Sequence, residues 1–430
     1  MGKEKASSKV LTRDELIKEF NKKFKGRVIG RASTDRSLTD QKWLGTGIFA
    51  VDYATGGGVP IGRITGFYGR KSCGKTLLAL RTIAASQHYC RKCQEPMVEQ
   101  PKKLYRCLGC GFKGEDEGGL CPDCKETVDK DGKPIENPLV DAGDHAYECP
   151  NCKTYDPMET LYLDAEGTWD NRWAAANGVN CHYVFIASVE CAEQAGDIAD
   201  QMLRCGECDL MVIDTLAHLT PTIEIEETLE KNQMGVQARV TNKILRKIVS
   251  ALQHAKDRKP TVIVLNQVRI KIGMMYGDPE TKPGGVGQDF VTSVDLKLWS
   301  GKYEKDKAGN TLNVVLNFRV EKNKCGVAKQ NGNFRLWLRS VTTEDNKVHR
   351  TGDTEEREVV LGYAFKQGMF GESPKWNYGG EKFKNQDEII QFVVGNPPVM
   401  EQIRRRLMAT LLGTIASDEE ALEIRDPDGE

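Results

Sequence analysis

An eight-residue stretch of this 430-residue sequence has the residue types of a phosphate-binding loop. It follows the apolar run ITGFY and precedes LLALRTIAAS, so it lies between a predicted strand and a predicted helix. Glycines in such a loop allow backbone N–H groups to turn towards phosphate oxygens at the helix N-terminus. The loop consists of Gly69, Arg70, Lys71, Ser72, Cys73, Gly74, Lys75 and Thr76. We predict that Lys75 reaches the β- and γ-phosphates of a nucleotide and that Thr76 binds its Mg²⁺ ion.

Three polar residues follow or end other apolar runs. Asp214 ends LMVID, where its carboxylate can hold the water shell of Mg²⁺. Glu166, after TLYLDA, is placed to polarise an attacking water, although a helix-capping or exposed glutamate has the same pattern. Gln267 ends VIVLNQ and is a candidate γ-phosphate sensor, or else an amide bonded to the backbone. Together these residues predict a site for nucleotide hydrolysis.

Cysteine spacing predicts a second kind of site. Eight of the fourteen cysteines form four Cys-x-x-Cys pairs in a long chain, and this favours metal binding over disulfides. Each pair can grip one tetrahedral Zn²⁺ with two thiolates, so the set predicts two structural Zn²⁺ ions in Cys₄ sites. The pairs are Cys90/Cys93, Cys107/Cys110, Cys121/Cys124 and Cys149/Cys152. A fifth pair, Cys205/Cys208, has no partner pair and is interpreted as two small, partly buried thiols.

Two pairings of the eight cysteines are open. The compact YRCLGCGFKGEDEGGLCPDC resembles a zinc ribbon, in which the inner pairs share one ion. The outer pairs would then share the other ion and bring the two ends of the segment together, and loop closure favours this nested arrangement. A sequential pairing of the first with the second and the third with the fourth is the alternative.

The elements that position these residues alternate along the chain. Short continuous apolar runs separated by helical stretches predict an α/β fold with a mostly parallel sheet buried on both faces. About 65 residues rich in Gly, Pro, Cys and charge interrupt this pattern and predict an inserted module. The predicted segments are 1–42 (helix and linker), 43–345 (core), 89–153 (zinc-binding insertion within the core), 346–416 (small C-terminal α+β domain) and 417–430 (acidic tail).

The N-terminal segment contains a predicted amphipathic helix over residues 12–25. Thr12 and Glu15 have the spacing of a capping box, and Leu16, Phe20 and Phe24 recur every four residues. The apolar stripe fits either a neighbouring subunit or the core of the same chain.

Composition limits the function classes. The formal net charge of −1 gives no bulk evidence for nucleic-acid binding, so any DNA site must be a local basic surface. No apolar run reaches the length of a membrane span, and the first residues lack the apolar stretch of a secretory signal. We therefore expect no membrane partner and a cytoplasmic location.

The order of these motifs resembles the bacterial RecA family across nearly all of residues 43–345 outside the insertion. The resemblance implies a RecA-like P-loop ATPase core that binds ATP and Mg²⁺. The resemblance rests on the phosphate loop and on further segments in the same order along the chain, which read GTGIFAVDYATGGGVPIGRITGFYG, LDAEGTWDNRWAAANGV, DLMVIDTLAHLTP, EIEETLEKNQMGVQARVTNKILRKI, NQVRIKIGMMYGDPETKPGGVGQDF and EKNKCG.

The resemblance also implies roles for individual residues. Glu166 is similar to the water-activating glutamate, and Asp170 and Trp173 to the adenine-contacting pair. Lys322 and Lys324 resemble the lysines that reach the ATP of a neighbouring subunit. The first DNA-binding loop corresponds to about 224–237 and the second to 270–288. DNA-contacting positions fall on Met234, Arg239, Arg246, Arg269, Lys271, Gly284 and Gly285.

The function implied is ATP-dependent homologous pairing and strand exchange by a helical homo-oligomeric filament on single-stranded DNA, with homologous duplex as the second partner. Two alternatives remain. One is a branch-migration motor similar to the RadA/Sms relatives, which also combine a zinc motif with a RecA core, although their zinc motif precedes that core. The other is a DNA-binding scaffold or mediator that uses ATP only as an assembly switch.

Overall fold

A computed structural model describes residues 12–23, 41–107, 113–114, 126–128, 134–136, 139–226, 235–255, 258–270, 280–283, 287–343, 348–373 and 375–411. The chain divides after Lys42 into two units. The described part of the first unit is helix α1 (Arg13–Lys23) and the residue before it. Thr12 N donates to Glu15 Oε2 at 2.8 Å and Glu15 N donates to Thr12 Oγ1 at 3.3 Å, which confirms the predicted capping box.

A sheet of nine described strands forms the centre of the second unit. The strands are β1 (Ile64–Gly69), β2 (Thr160–Asp164), β3 (Val184–Ser188), β4 (Leu210–Asp214), β5 (Thr261–Gln267), β6 (Val294–Lys305), β7 (Thr311–Asn323), β8 (Asn331–Trp337) and β9 (Thr354–Glu355). Their order across the sheet is β3-β2-β4-β5-β1-β6-β7-β8-β9. The strands from β3 to β6 are parallel, and β7, β8 and β9 extend the sheet antiparallel. The predicted mostly parallel α/β sheet is confirmed, and the antiparallel extension is an addition to it.

Helices cover both faces of the parallel part. On one face, Leu161 and Met211 pack in a cluster with Ala195 and Ile244 of two helices, whereas Tyr162 faces the other cluster. This alternation follows from the two-residue period of a strand. The helices of the second unit are α2 (Phe49–Thr55), α3 (Lys75–Ser86), α4 (Asn171–Ala176), α5 (Ala192–Cys205), α6 (Thr222–Glu226), α7 (Val236–His254), α8 (Gly287–Val291), α9 (Arg357–Lys366), α10 (Gln386–Gly395) and α11 (Pro397–Leu411), with 3₁₀ turns at Cys181–Tyr183 and Leu216–His218.

Strand register defines two edges of the parallel sheet. Asp164 of β2 lies opposite Asp214 of β4, and Gln267 of β5 lies opposite Gly69 of β1, so these carboxyl ends meet at one edge. At the opposite edge, β2, β4 and β5 begin side by side, with Leu210 opposite both Thr160 and Thr261. Ligands of open α/β sheets bind outside the carboxyl ends.

Smaller sheets surround this centre. Within the predicted insertion, Val98–Cys107 pairs with Lys113–Gly114 and Leu139–Glu148, and Glu126–Val128 pairs with Pro134–Glu136. The other pairs are Trp43–Leu44 with Val59–Pro60, Arg269–Ile270 with Glu280–Thr281, and Val341–Thr342 with Val348–His349.

The C-terminal part has its own apolar core. Helices α9, α10 and α11 pack around Phe370, Ile389 and Ile403, beside a sheet formed by Gly371–Glu372, Lys375–Tyr378 and Glu381–Phe383. Phe49 of α2 belongs to the same cluster and links it to the part of the chain that contains the nine-stranded sheet. The domain boundaries remain predictions, and the acidic tail lies outside the described residues. None of the described helices has the length and apolar character to span a membrane.

Candidate functional site

The phosphate loop is fixed by close packing of its glycines. Gly74, immediately before α3, has φ +89°, and a Cβ there would lie 2.6 Å from Leu316 Cδ1. A Cβ on Gly69 would lie 2.2 Å from the carbonyl oxygen of Leu298. Because the first N–H groups of a helix have no intrahelical acceptors, the start of α3 at Lys75 presents donors for an anion.

Lys75 places a positive charge inside this loop. Its side chain is largely buried, and Nζ donates to the carbonyl oxygens of Arg70 at 2.8 Å and Gly69 at 3.3 Å. A charged phosphate oxygen is a stronger hydrogen-bond acceptor than these neutral carbonyl groups, so the buried ammonium is placed to bind a phosphate. Burial also raises the pKa of the neighbouring Cys73 thiol, so Cys73 packs in the loop as an uncharged thiol.

Asp214 joins the loop to β4. Thr76 Oγ1 donates to Asp214 Oδ2 at 2.9 Å, and the hydroxyl of Tyr162 donates to the same oxygen at 2.6 Å. Burial raises the pKa of Asp214, while these two hydrogen bonds favour its charged form. The hydroxyl and carboxylate oxygens of Thr76 and Asp214 are ligands that suit Mg²⁺. Sequence reasoning missed Tyr162, because a tyrosine inside a buried strand reads as core.

Glu166 is the centre of a polar network at the same sheet edge. Its Oε1 accepts from Gln267 Nε2 at 3.0 Å and from Thr215 Oγ1 at 3.2 Å, and His218 Nδ1 lies 2.9 Å away. The structure therefore brings together Glu166 and Gln267, which are 101 positions apart in sequence. Sequence reasoning missed Thr215 and His218, although both lie within four residues after Asp214.

Asp170 and Trp173 have structural roles in α4. Asp170 Oδ1 accepts from Trp173 N at 2.8 Å as the helix N-cap, and the half-buried Trp173 ring packs against the core. Their contact with adenine remains a prediction.

Lys322 and Lys324 hold the C-terminal end of α8 within the same chain. Lys322 Nζ donates to the carbonyl oxygens of Asp289 and Thr292, and Lys324 Nζ donates to that of Phe290 at 3.0 Å. Burial and the charge of Lys324 lower the pKa of Lys322. Cations favour a helix C-terminus, so this placement has a physical reason within one chain. The predicted contact with a neighbouring subunit is untested.

A groove of about 590 Å³ lies between α7 and α8. Arg239, Lys243 and Arg246 line it, and Phe290, 74% exposed, lies at its side. Arg269 lies in the short strand that pairs with Glu280–Thr281 at the base of the second loop. The other predicted DNA-contacting positions, Met234, Lys271, Gly284 and Gly285, lie outside the described residues.

An ion-pair cluster connects the phosphate loop with the second loop. Arg70 Nε lies 2.7 Å from Glu280 Oε1, and Lys297 Nζ lies 2.9 Å from Glu280 Oε2. The hydrogen bond from Lys297 has the larger effect and that from Arg70 adds to it, so the pKa of Glu280 lies below its ordinary range. The side chain of Arg70 thus contacts the second loop, a role that the phosphate-loop motif does not predict.

The outer cysteine pairs meet in a cluster. The Sγ atoms of Cys90, Cys93, Cys149 and Cys152 all lie within 4.8 Å of one another. This arrangement agrees with the nested pairing and contradicts the sequential alternative, which would separate these pairs. The Cys107 side chain and residues Cys110, Cys121 and Cys124 lie outside the described parts of the chain. Of the fifth pair, Cys205 is exposed and Cys208 is buried, with its pKa raised by burial to about 12.

Comparisons with known proteins give sequence matches over most of the chain. A family model described as the RecA N-terminal domain matches residues 12–99 and 154–340, on either side of the cysteine-rich segment. The chain is 29% identical over 414 residues to the protein RecA of Teredinibacter turnerae, and the match covers 95% of each protein. It is 28% identical over 405 residues to that of Psychrobacter cryohalolentis (93% of this chain, 90% of the relative). It is 27% identical over 412 residues to that of Thermotoga neapolitana (95% and 94%).

Proposed function

The chain belongs to the RecA family, which gives it an ATP-dependent role in recombination and repair, and we propose that it pairs single-stranded DNA with a homologous duplex as a helical filament. The observation that carries this proposal is the hydrogen bond between Glu166 and Gln267, because it joins a candidate catalytic carboxylate to the strand that enters the second loop. Such a contact can link the state of a nucleotide to the state of a DNA-binding loop.

The residues at the carboxyl edge of the sheet fit ATP and Mg²⁺. When bound, ATP supplies the phosphoanhydride bond that water cleaves. Lys75 would donate to phosphate oxygens, and Thr76 and Asp214 would hold the Mg²⁺ ion. Glu166 would accept a proton from water, with its carboxylate oriented by Gln267 and the neighbouring donors. We propose that Asp170 and Trp173 contact adenine.

We propose the two loops and the groove beside them as the DNA-binding surface. Arg239 and Arg246, together with Lys243, supply the local positive charge that the near-neutral chain requires for phosphate binding. The proposed contacts are Met234, Arg239, Arg246, Arg269, Lys271, Gly284 and Gly285.

Two further parts of the proposal concern the assembly and the insertion. Lys322 and Lys324 would leave the carbonyl groups of α8 and reach the phosphates of a neighbouring subunit, so that full hydrolysis needs a filament. The insertion would bind two structural Zn²⁺ ions, one of them held by Cys90, Cys93, Cys149 and Cys152.

Strand exchange between circular single-stranded DNA and homologous linear duplex, with ATP and Mg²⁺, tests the proposal directly. Joint molecules and helical filaments in electron micrographs are the expected result. Ring-shaped hexamers that move branch points but do not pair DNA would instead support the branch-migration motor.

A further inference from the structure

Two matching turns form the described cysteine cluster. The amide of Gln94 donates to the carbonyl of Cys90 at 2.8 Å, and the amide of Lys153 donates to that of Cys149 at 2.9 Å. Gln94 and Lys153 both have positive φ, +53° and +57°. Cys90 and Cys149 are fully buried. The two turns therefore point four thiols into one small volume, as a tetrahedral Cys₄ site requires.

Arg91, inside the first turn, connects this cluster to the ATPase sheet. Its guanidinium lies 2.9 Å from Glu159 Oε2, 2.6 Å from Glu207 Oε2 and 3.0 Å from Asp209 Oδ2. The Arg91 side chain is 15% exposed, and that of Asp209 is 1% exposed. Glu159 immediately precedes β2 and Asp209 immediately precedes β4. One residue of the cysteine turn thus contacts the residues that immediately precede two neighbouring strands.

Gln94 makes the corresponding contact with a third strand. Its Nε2 donates to the carbonyl oxygen of Lys259 at 3.0 Å, and Lys259 N donates to Gln94 Oε1 at 3.2 Å. Lys259 lies just before β5, and Arg258 beside it contacts Asp209 at 3.3 Å. The cysteine turn is therefore joined to the amino ends of β2, β4 and β5, which are adjacent in the sheet.

These are the strands that position the candidate catalytic residues. Asp214 and Gln267 end β4 and β5, and Glu166 follows β2 by two residues. Contacts at the amino ends of these strands therefore stabilise the same strands that carry the candidate catalytic residues at their carboxyl ends.

We propose that the Cys90, Cys93, Cys149 and Cys152 cluster holds one structural Zn²⁺ that braces the amino ends of β2, β4 and β5 through Arg91 and Gln94. The inference rests on the proposed zinc binding and extends it, because the ion then stabilises the ATPase sheet as well as the insertion. Binding releases the thiol protons to solvent and forms four metal–thiolate bonds. Without the ion the turns open and release Arg91 and Gln94.

Zinc content and amide hydrogen exchange of the full-length protein test this proposal. Cys93→Ser with Cys152→Ser should lose about one Zn²⁺ per chain relative to the wild type. Amides of β2, β4 and β5 should then exchange at least about tenfold faster, while β7 and β8 of the same sheet keep their rates. Cys205→Ser, in the Cys205/Cys208 pair outside the cluster, is the matched control and should change neither the zinc content nor the exchange rates.

A second variant keeps the cysteines and removes the connection. Arg91→Met with Gln94→Met should retain zinc and show the same faster exchange in β2, β4 and β5. Unchanged exchange in this zinc-loaded variant overturns the brace, even if the cysteine variants fail to fold. Wild-type protein without zinc overturns the metal site. A zinc-loaded, protected wild type that does not hydrolyse ATP with single-stranded DNA refutes the proposed function and leaves the brace intact.

Discussion

Replacing Arg91 by methionine removes the main cation beside a buried carboxylate and keeps most of the apolar stem. Asp209 is 1% exposed, and burial raises its pKa to about 6 despite the nearby charges of Arg91 and Arg258. Because this pKa lies above its ordinary value, Asp209 favours the folded state at low pH and destabilises it as the pH rises through about 6. The effect of Arg91→Met must therefore depend on pH.

The loss of stability in Arg91→Met depends on how deeply each carboxylate that contacts Arg91 is buried. At pH 8 Asp209 is ionised, and breaking a buried ion pair costs about 3–5 kcal/mol; the lower end applies because Arg258 remains. At pH 5 Asp209 is mostly protonated, so the ion pairs that Arg91 retains are those with Glu159 and Glu207, which are 26% and 65% exposed. Because both carboxylates remain partly exposed to water, these pairs contribute about 1 kcal/mol.

Thermal unfolding of full-length protein measures the difference. With about 2–4 °C per kcal/mol for a large domain, Arg91→Met should lower the Tm by about 6–12 °C at pH 8 and by about 2–4 °C at pH 5. Arg405→Met, which removes an exposed ion pair with Glu401, is the control and should change the Tm by less than about 2 °C at both pH values. An equal decrease at the two pH values would refute the role assigned to Asp209.

Three other substitutions test the nucleotide site and its connections. Tyr162→Phe should lower the free energy of unfolding by about 1.5–3 kcal/mol in denaturant titration, because the buried Asp214 carboxylate loses a charged hydrogen bond. Arg70→Ala should raise the single-stranded DNA concentration for half-maximal ATP hydrolysis by about 1.4- to 5-fold, as expected for a partly exposed pair with Glu280. An unchanged concentration would show that the Arg70–Glu280 pair does not connect the phosphate loop to DNA binding by the second loop. Lys324→Ala should lower kcat for DNA-stimulated hydrolysis on the order of 10³-fold with little change in Tm, and a normal kcat would exclude its action across subunits.

Much of the nucleotide site could be predicted from sequence because its signals are local. Gly69 and Gly74 stand at a fixed spacing in the phosphate loop, because a Cβ at either position would collide with a packed neighbour. Asp214 and Gln267 end continuous apolar strands, and parallel strands place their carboxyl ends together. The zinc-ribbon likeness of the inner pairs and loop closure both favour the nested cysteine arrangement, and the described cluster of the outer pairs agrees with it.

The remaining features depend on contacts between distant segments. The hydrogen bond from Tyr162 to Asp214 joins two strands through a side chain that reads as core. Arg91 is one cation among many in the sequence, and only the fold brings it to Asp209. The antiparallel strands β7, β8 and β9 also depend on pairing between separate segments, which a mostly parallel α/β pattern does not predict.

ATP turnover with and without single-stranded DNA, for wild type and Glu166→Gln, tests the central claim most directly. The variant keeps the shape of the side chain, its contact partners and the nucleotide-binding residues, but removes the carboxylate that accepts a proton. DNA-stimulated hydrolysis by the wild type and loss of about 10²- to 10⁴-fold of that rate in Glu166→Gln is the expected result. Equal, negligible rates in the two proteins would contradict the account and identify a DNA-binding scaffold.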